Sequence, residues 1–256
     1  MLRILAALLK NTKDKTMSKT RKRYIAKLTG RCIVLILCAL LWVVAPEEYE
    51  VLDGMNFFRK FSVLHILWLL WVVDMLPQII SYQNKVPLGS MKLFARRFKP
   101  AGDSIDYPGL HSYTVKSTKA AYLSFAIWWV MLAVIGVLYY LGIISKIGLF
   151  LISTFFYVSD LICVLVWCPF RLLMKTRCCT TCRIFNWDHM LMFSPMTFLG
   201  GFYGMSLVVL SWVTFLVWEV YVMMYPERFW DRSNKALRCS ECTDKLCTQY
   251  CPRKKK

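Results

Sequence analysis

The sequence predicts an all-α, polytopic transmembrane bundle of about six membrane segments, with a small cysteine-rich face on its cytoplasmic side. Hydrophobic residues make up 57% of the 256 residues, and the mean hydropathy of +0.46 is too high for an ordinary soluble domain. Long apolar runs alternate with short polar segments, as membrane helices and their loops do. The positive charges are concentrated in some of these polar segments and nearly absent from others.

We expect three regions along the chain. A basic N-terminus covers 1–31, a membrane domain covers 32–225 with cytoplasmic loops at 84–119 and 169–189, and a basic, cysteine-rich tail covers 226–256. Because no polar linker divides the apolar segments, these regions belong to one domain.

The first membrane segment is predicted at 32–45, extended back toward Tyr24. Its apolar core is short, so Lys27 and Arg31 are expected to reach toward the membrane surface. The other segments are predicted at 61–80, 120–142, 147–168, a short arm from about 187, and about 202–225.

The apolar run 190–225 decides how many times the chain crosses the membrane. A single crossing would place the basic tail outside, whereas a turn at Gly200, Gly201 and Gly204 allows two crossings. The first arm is short for a hydrocarbon layer of about 30 Å at about 1.5 Å per residue. It is therefore either a short span or a re-entrant helix.

The distribution of charge predicts the orientation. The N-terminus, the two cytoplasmic loops and the tail hold ten, seven, four and nine Lys or Arg, which is thirty of the 33 in the chain. Residues 46–60 hold four acids and two bases. The positive-inside rule predicts a multi-pass cell-membrane protein with both termini in the cytoplasm. Given the apolar runs, the charge of +18 indicates contact with an anionic leaflet, not with nucleic acid.

One part of the first cytoplasmic loop has the composition of a surface-lying segment. Residues 88–98 mix Lys92, Arg96 and Arg97 with apolar side chains such as Leu93 and Phe94. This mixture predicts a segment that lies on an anionic membrane surface.

Seven of the eleven cysteines fall in two short stretches, and two pairs have the Cys-x-x-Cys spacing. They are Cys178, Cys179, Cys182, Cys239, Cys242, Cys247 and Cys251. Two Cys-x-x-Cys turns can supply four thiolates to one tetrahedral zinc ion. In the cytoplasm such thiols stay reduced, so a metal site is expected rather than disulfides.

Zinc is the favoured metal, and an iron–sulfur cluster is the alternative. The last two cysteines of the tail read Cys247-x3-Cys251-Pro252, which matches the end of a bacterial ferredoxin motif. The gap between Cys242 and Cys247 is longer than the corresponding gap in that motif. Metal-free or palmitoylated cysteines near a membrane are the simpler interpretation, and they account poorly for the ordered spacing in the tail.

Three acids lie inside predicted membrane segments: Asp74, Asp160 and Glu219. Burying an acid in a membrane is costly, so such residues are candidates for ion or proton handling. They lie at similar depths and could form one polar cluster. The alternative is structural, with Glu219 reaching toward Arg228 and the two aspartates making interhelical hydrogen bonds.

Asn186 and Asp188 precede the next apolar run, and capping of the helix that follows is the favoured interpretation. With His189, they could alternatively support or ligate the metal.

Two stretches carry a family resemblance. Residues 167–171, Trp-Cys-Pro-Phe-Arg, and 178–188, Cys-Cys-Thr-Thr-Cys-Arg-Ile-Phe-Asn-Trp-Asp, resemble bacterial integral membrane proteins of clostridial type. The tail cysteines and residues 226–229 belong to the same pattern, and the group implies no particular activity. Cys168-Pro169 and Cys251-Pro252 are more weakly similar to membrane-anchored iron–sulfur proteins, without their paired motif spacing.

The sequence contains no nucleotide-binding loop, His-Glu-x-x-His helix or Gly-x-Ser-x-Gly elbow, which disfavours the corresponding enzymes. We expect a membrane protein with a structural zinc site on its cytoplasmic face that docks a protein partner. A membrane electron carrier with an iron–sulfur cluster is one alternative. A small transporter that uses Asp74, Asp160 and Glu219 is the other.

Overall fold

The computed structural model describes residues 18–80, 92, 95, 97–102, 104–175 and 182–241. Cys178, Cys179, Cys242, Cys247 and Cys251 lie outside these residues. Within the described ranges the fold is all-helical, as predicted. The α-helices are α1 Lys19–Val44, α2 Leu64–Ile80, α3 Tyr107–Tyr140, α4 Lys146–Leu165, α5 Phe170–Met174, α6 Asp188–Phe193 and α7 Phe202–Met224.

Four of these helices, α1, α3, α4 and α7, are long and apolar enough to cross a membrane. α2 is apolar but shorter. The four helices expose large apolar side chains such as Leu37, Val130 and Leu216, which suits contact with lipid. These features indicate a membrane protein.

Two helices start earlier than the sequence suggested, because polar caps extend them. The Ser18 hydroxyl accepts a hydrogen bond from the Arg21 N–H at the start of α1, and Asp106 accepts one from Gly109 at the start of α3. With 34 residues, α3 is about 51 Å long, well beyond the thickness of a hydrocarbon layer of about 30 Å. Its first turns therefore belong to the polar end of the bundle, in a stretch that the sequence had indicated as loop.

The segment before α7 is the most buried part of the fold. It consists of the 3₁₀ helix Arg183–Trp187, then α6, then the 3₁₀ helix Ser194–Leu199. All but three residues of 182–199 are buried. Helix breaks are tolerated at membrane depth when the surrounding protein covers them.

This segment reverses direction at the predicted glycines. Gly200 adopts a φ of 66°, in the left-handed region that favours glycine. A Cβ on Gly201 would lie 2.0 Å from the Leu52 carbonyl oxygen, so only glycine fits there. The Phe202 N–H then donates to the Gly54 carbonyl at 2.8 Å, which fixes the turn to the loop between α1 and α2.

At the opposite end of the bundle, the start of the tail packs against the segment that precedes α3. Pro100 and Asn234 form an antiparallel bridge, and the Lys235 N–H donates to the Lys99 carbonyl at 2.8 Å. Tyr113 stacks on Trp230 with ring centroids 5.9 Å apart. The described parts of these two basic regions therefore lie at the same end of the molecule.

Candidate functional site

A group of buried charged side chains connects α1, α2, α4 and α6. Arg31 on α1 is only 9% exposed and donates to Asp160 Oδ2 at 2.9 Å and to the Tyr157 carbonyl at 2.6 Å. Its guanidinium lies 3.8 Å from the centre of the Tyr157 ring and 3.9 Å from Asp74 Oδ2. The expectation that Arg31 reaches the membrane surface was therefore wrong. Two carboxylates within the bundle provide a better environment for the guanidinium than a distant surface.

His189 lies between two carboxylates. Its Nδ1 is 3.0 Å from Asp188 Oδ1, and its Nε2 is 3.4 Å from Asp74 Oδ2. The side chain amide of Gln78 lies 3.3 Å from Nδ1. With an acid at each ring nitrogen, the imidazole can accept a proton and form an ion pair on both sides.

Lys92 completes the group. Its ammonium donates to Gln78 Oε1 at 2.7 Å and to Asp188 Oδ1 at 3.0 Å, and the residue is 1% exposed. It also lies 5.6 Å from the centre of the Trp218 ring. The prediction that Lys92 lies on the membrane surface was wrong, because two buried acceptors hold its charge inside the bundle. The neighbouring Arg96 lies outside the described residues.

We refer to these residues together as the Arg31 network. Its members are Arg31, Asp74, Gln78, Lys92, Asp160, Asp188 and His189. It contains three carboxylates and two side chains with a fixed positive charge. The protonation of His189 therefore decides whether the charges balance.

Glu219 belongs to a separate group. Its Oε2 is 2.5 Å from Arg183 Nη2, and its Oε1 accepts from the Trp187 indole N–H at 2.6 Å. Arg183 also donates to the Thr118 hydroxyl at 2.6 Å. We call these four residues the Glu219 group. The predicted acids thus form two groups rather than one cluster.

The expected structural partner of Glu219 was also wrong. Arg228 donates to the Tyr221 hydroxyl at 2.9 Å, whereas Glu219 pairs with Arg183. Arg183 reaches Glu219 because it begins the buried segment that packs against α7.

The capping interpretation was wrong for Asn186, because the N-cap position of α6 is Trp187. Asp188 stands one position later, where its Oδ1 accepts from the His189 N–H in the first turn at 2.9 Å. Asp188 is engaged by Lys92 and His189, as described above. Asn186 is 1% exposed, and neither atom of its amide has a hydrogen-bond partner among the described residues.

Of the seven predicted metal ligands, only Cys182 and Cys239 lie in the part of the chain that the structure describes. Cys182 is buried, and Cys239 begins the 3₁₀ helix Cys239–Glu241. Among the described residues, no group of three or more His, Cys, Asp and Glu side chains could hold a metal ion. The other proposed ligands lie outside the described residues, namely Cys178, Cys179, Cys242, Cys247 and Cys251.

The structure brings Arg183, the residue after Cys182, close to the start of the tail, upstream of Cys239. Arg183, which follows Cys182, lines a small crevice with Tyr113 on α3 and with Pro226 and Phe229 at the start of the tail. The Tyr113 hydroxyl donates to the Phe229 carbonyl at 3.3 Å. Cys182 itself is close enough to Tyr113 for an electrostatic interaction.

Comparison with known proteins assigns no family to this chain: no family model matches its sequence, and no curated protein or solved structure shows significant similarity to it. The resemblance to clostridial-type membrane proteins therefore stays a prediction. The functional argument rests on the geometry of the buried groups.

Asp74 and Asp160 were identified from the sequence, and their partners were missed. Arg31 and Lys92 were assigned to the surface, and Asp188 and His189 were considered only as helix-cap or metal-site residues. A signal for Arg31 was present in the sequence, because a single arginine adjoins an apolar helix core.

Proposed function

We propose that this protein is a small membrane transporter that moves protons through the Arg31 network. The observation that supports this proposal most is the position of His189 between Asp74 and Asp188, in a network with three acids and two fixed cations. Protonation of His189 balances the network, and deprotonation leaves a negative charge in the bundle.

A change of this charge has a mechanical consequence. His189 lies on α6, Asp74 on α2, and Lys92 joins α6 to the end of α2 through Gln78. An imidazolium attracts both carboxylates, whereas a neutral imidazole holds them only by hydrogen bonds. Proton uptake would therefore tighten the contact between α2 and α6, and proton release would loosen it.

We propose six membrane segments with both termini in the cytoplasm. The buried segment 183–199 is the fifth, because it follows α3 from one end of the bundle toward the other. Arg183 contacts Thr118, and the Phe198 ring packs on Gly136. These two positions on α3 are about 27 Å apart at about 1.5 Å per residue. The start of the tail and the segment before α3 lie at the same end of the bundle, and this supports the same topology.

Proton flux into liposomes tests the proposed function. Purified protein is reconstituted with a pH-sensitive dye inside, and a potassium diffusion potential drives proton entry. We expect the wild-type protein to acidify the interior, His189→Asn to lose this activity, and His111→Asn to keep it. His111 is an exposed histidine on α3 outside the network, so it controls for the loss of a histidine. Flux no greater than in protein-free liposomes would contradict the proposal.

A second candidate function is a metal site that joins the loop and tail cysteines, with zinc favoured over an iron–sulfur cluster, and that docks a protein partner. It is supported by the crevice at Tyr113, where Arg183 lies close to the start of the tail. Thiolates from both stretches would hold the metal and tie the tail to the bundle.

Metal analysis of anaerobically purified protein tests this second candidate. We expect one metal per chain in the wild type and in Cys38→Ala, since Cys38 lies in the apolar core. Cys182→Ser and Cys242→Ser should each lose most of the metal, and the double variant should be little worse, because members of one site are not additive. Unchanged metal content in Cys182→Ser would rule out a shared site.

A further inference from the structure

A cavity of about 530 Å³ adjoins the Arg31 network. It lies between α3, α4, α5 and residues 184–192. Its volume is within the range of about 300–1,000 Å³ that is typical of sites for small organic ligands. Proton transfer through the Arg31 network does not require this cavity.

The wall of the cavity is apolar apart from a few polar side chains. Aromatic side chains from three helices line it, namely Trp128, Phe156 and Phe170. Asp160 and Asp188, both members of the Arg31 network, also line it. Each of their side chains is 15% exposed.

Both carboxylates have an oxygen left for a ligand. Asp160 accepts from Arg31 through Oδ2, and Asp188 accepts from Lys92 and His189 through Oδ1. Within the described residues, Oδ1 of Asp160 and Oδ2 of Asp188 accept no hydrogen bond, and neither is among the fully buried unpaired atoms.

We propose that this cavity binds a lipophilic organic cation, with its apolar body against the aromatic wall and its positive charge near Asp160 and Asp188. This inference names the class of ligand that competes with the proton in the proposed transporter, and it rests on that function. An organic anion would meet two carboxylates, and an uncharged molecule would leave them without a further partner. Aromatic faces at the same wall add favourable cation–π contacts.

The charge count of the network links the cation to the proton. When His189 is neutral, the buried cations that face Asp74, Asp160 and Asp188 among the described residues are Arg31 and Lys92, and the exposed Lys27 acts on Asp74 from a longer distance. A bound cation supplies the missing positive charge, just as a proton on His189 does. The cation and the proton therefore compete for the Arg31 network.

Equilibrium dialysis with protein in lipid nanodiscs tests the proposal with two probes of nearly the same shape and opposite charge. Tetraphenylphosphonium should bind with a stoichiometry of one, and tetraphenylborate should bind no more than it does to empty nanodiscs. Equal binding of both probes to the protein would mean that the site is merely apolar, and it would overturn the proposal.

Three variants locate the binding. Asp160→Asn should weaken phosphonium binding more than about tenfold, because a desolvated charge partner is lost. Met131→Trp should weaken it similarly by filling the cavity, and it leaves the Arg31 network in place if the aspartate variant fails to fold. Val134→Trp is the matched control, since this exposed residue of α3 does not line the cavity. Unchanged binding in Met131→Trp would contradict the assignment.

The two proposals fail in different ways. Phosphonium binding without proton flux would leave the cavity site standing and remove the transport function. Proton flux without phosphonium binding would leave the function standing and remove the competing ligand.

Discussion

The Arg31 network and the Glu219 group are both buried, yet they differ in how their charges are arranged. In the Glu219 group one acid faces one base, and the Arg183 and Glu219 side chains are 5% and 6% exposed. In the Arg31 network three acids share two fixed cations and a histidine, and the acids are 15–27% exposed. The first group is closed and balanced, whereas the second is unbalanced and borders a cavity.

This difference shows that an acid inside a membrane protein does not identify a functional site by itself. Glu219 was as good a candidate as Asp160 by its position in the sequence. Glu219 forms a structural ion pair with Arg183, because each charge is balanced by the other and both side chains are buried. The partners of Asp160 and Asp188 leave room for a proton and a ligand.

The largest effect on stability is expected in the Glu219 group. Arg183→Met leaves a buried carboxylate without its base, which should cost about 3–5 kcal/mol of unfolding free energy. Thermal unfolding of the purified protein in detergent measures the change. The double variant Arg183→Met/Glu219→Leu should recover most of the loss, because apolar side chains of similar volume can replace a buried ion pair. A double variant as unstable as the single one would show that the pair does more than balance charge.

A smaller loss of stability is expected in the Arg31 network. Asp160→Asn removes one charge, but Arg31 keeps its hydrogen bond to the Tyr157 carbonyl and its proximity to Asp74. We expect a loss of about 1–3 kcal/mol by the same unfolding measurement. Ser159→Ala is the control and should be nearly neutral, because this neighbouring hydroxyl is half-buried and donates only to the Phe155 carbonyl of its own helix. A loss as large as that of Arg183→Met would mean that the network is structural too.

The sequence predicted the helical class and the apolar segments well, because hydropathy reports how apolar a stretch is. It also singled out Asp74, Asp160 and Glu219, since acids are rare in such stretches. It could not predict whether the side chains of Arg31 and Lys92 point inward or outward, because buried and exposed positions alternate along both stretches of the chain. Nor could it predict the path of 183–199, where two 3₁₀ helices interrupt the helical periodicity.

The pH dependence of phosphonium binding tests the unbalanced charge that distinguishes the Arg31 network from the Glu219 group. As the pH falls, His189 takes up a proton, the network becomes balanced, and a second cation is no longer needed. Phosphonium affinity should therefore rise with pH, by at most about tenfold per pH unit over the range where His189 loses its proton. In His189→Asn the dependence should disappear, and in His111→Asn it should remain. Affinity that falls as the pH rises would contradict the charge count.

The smallest effect is expected at an ion pair that neither group includes. Lys60 and Glu50 pair in the loop between α1 and α2, and their side chains are 58% and 48% exposed. Lys60→Ala should change the free energy of unfolding by less than about 1 kcal/mol, since water screens exposed pairs. A loss comparable to that of Arg183→Met would mean that burial is not what separates strong from weak pairs in this protein.

The most direct test of the account compares the two buried groups in one assay. Proton flux into liposomes is measured for His189→Asn and for the double variant Arg183→Met/Glu219→Leu, at equal amounts of folded protein. We predict that His189→Asn abolishes the flux and that the double variant retains it. Retention of flux in His189→Asn, or its loss in the double variant alone, would contradict the assignment of function to the Arg31 network.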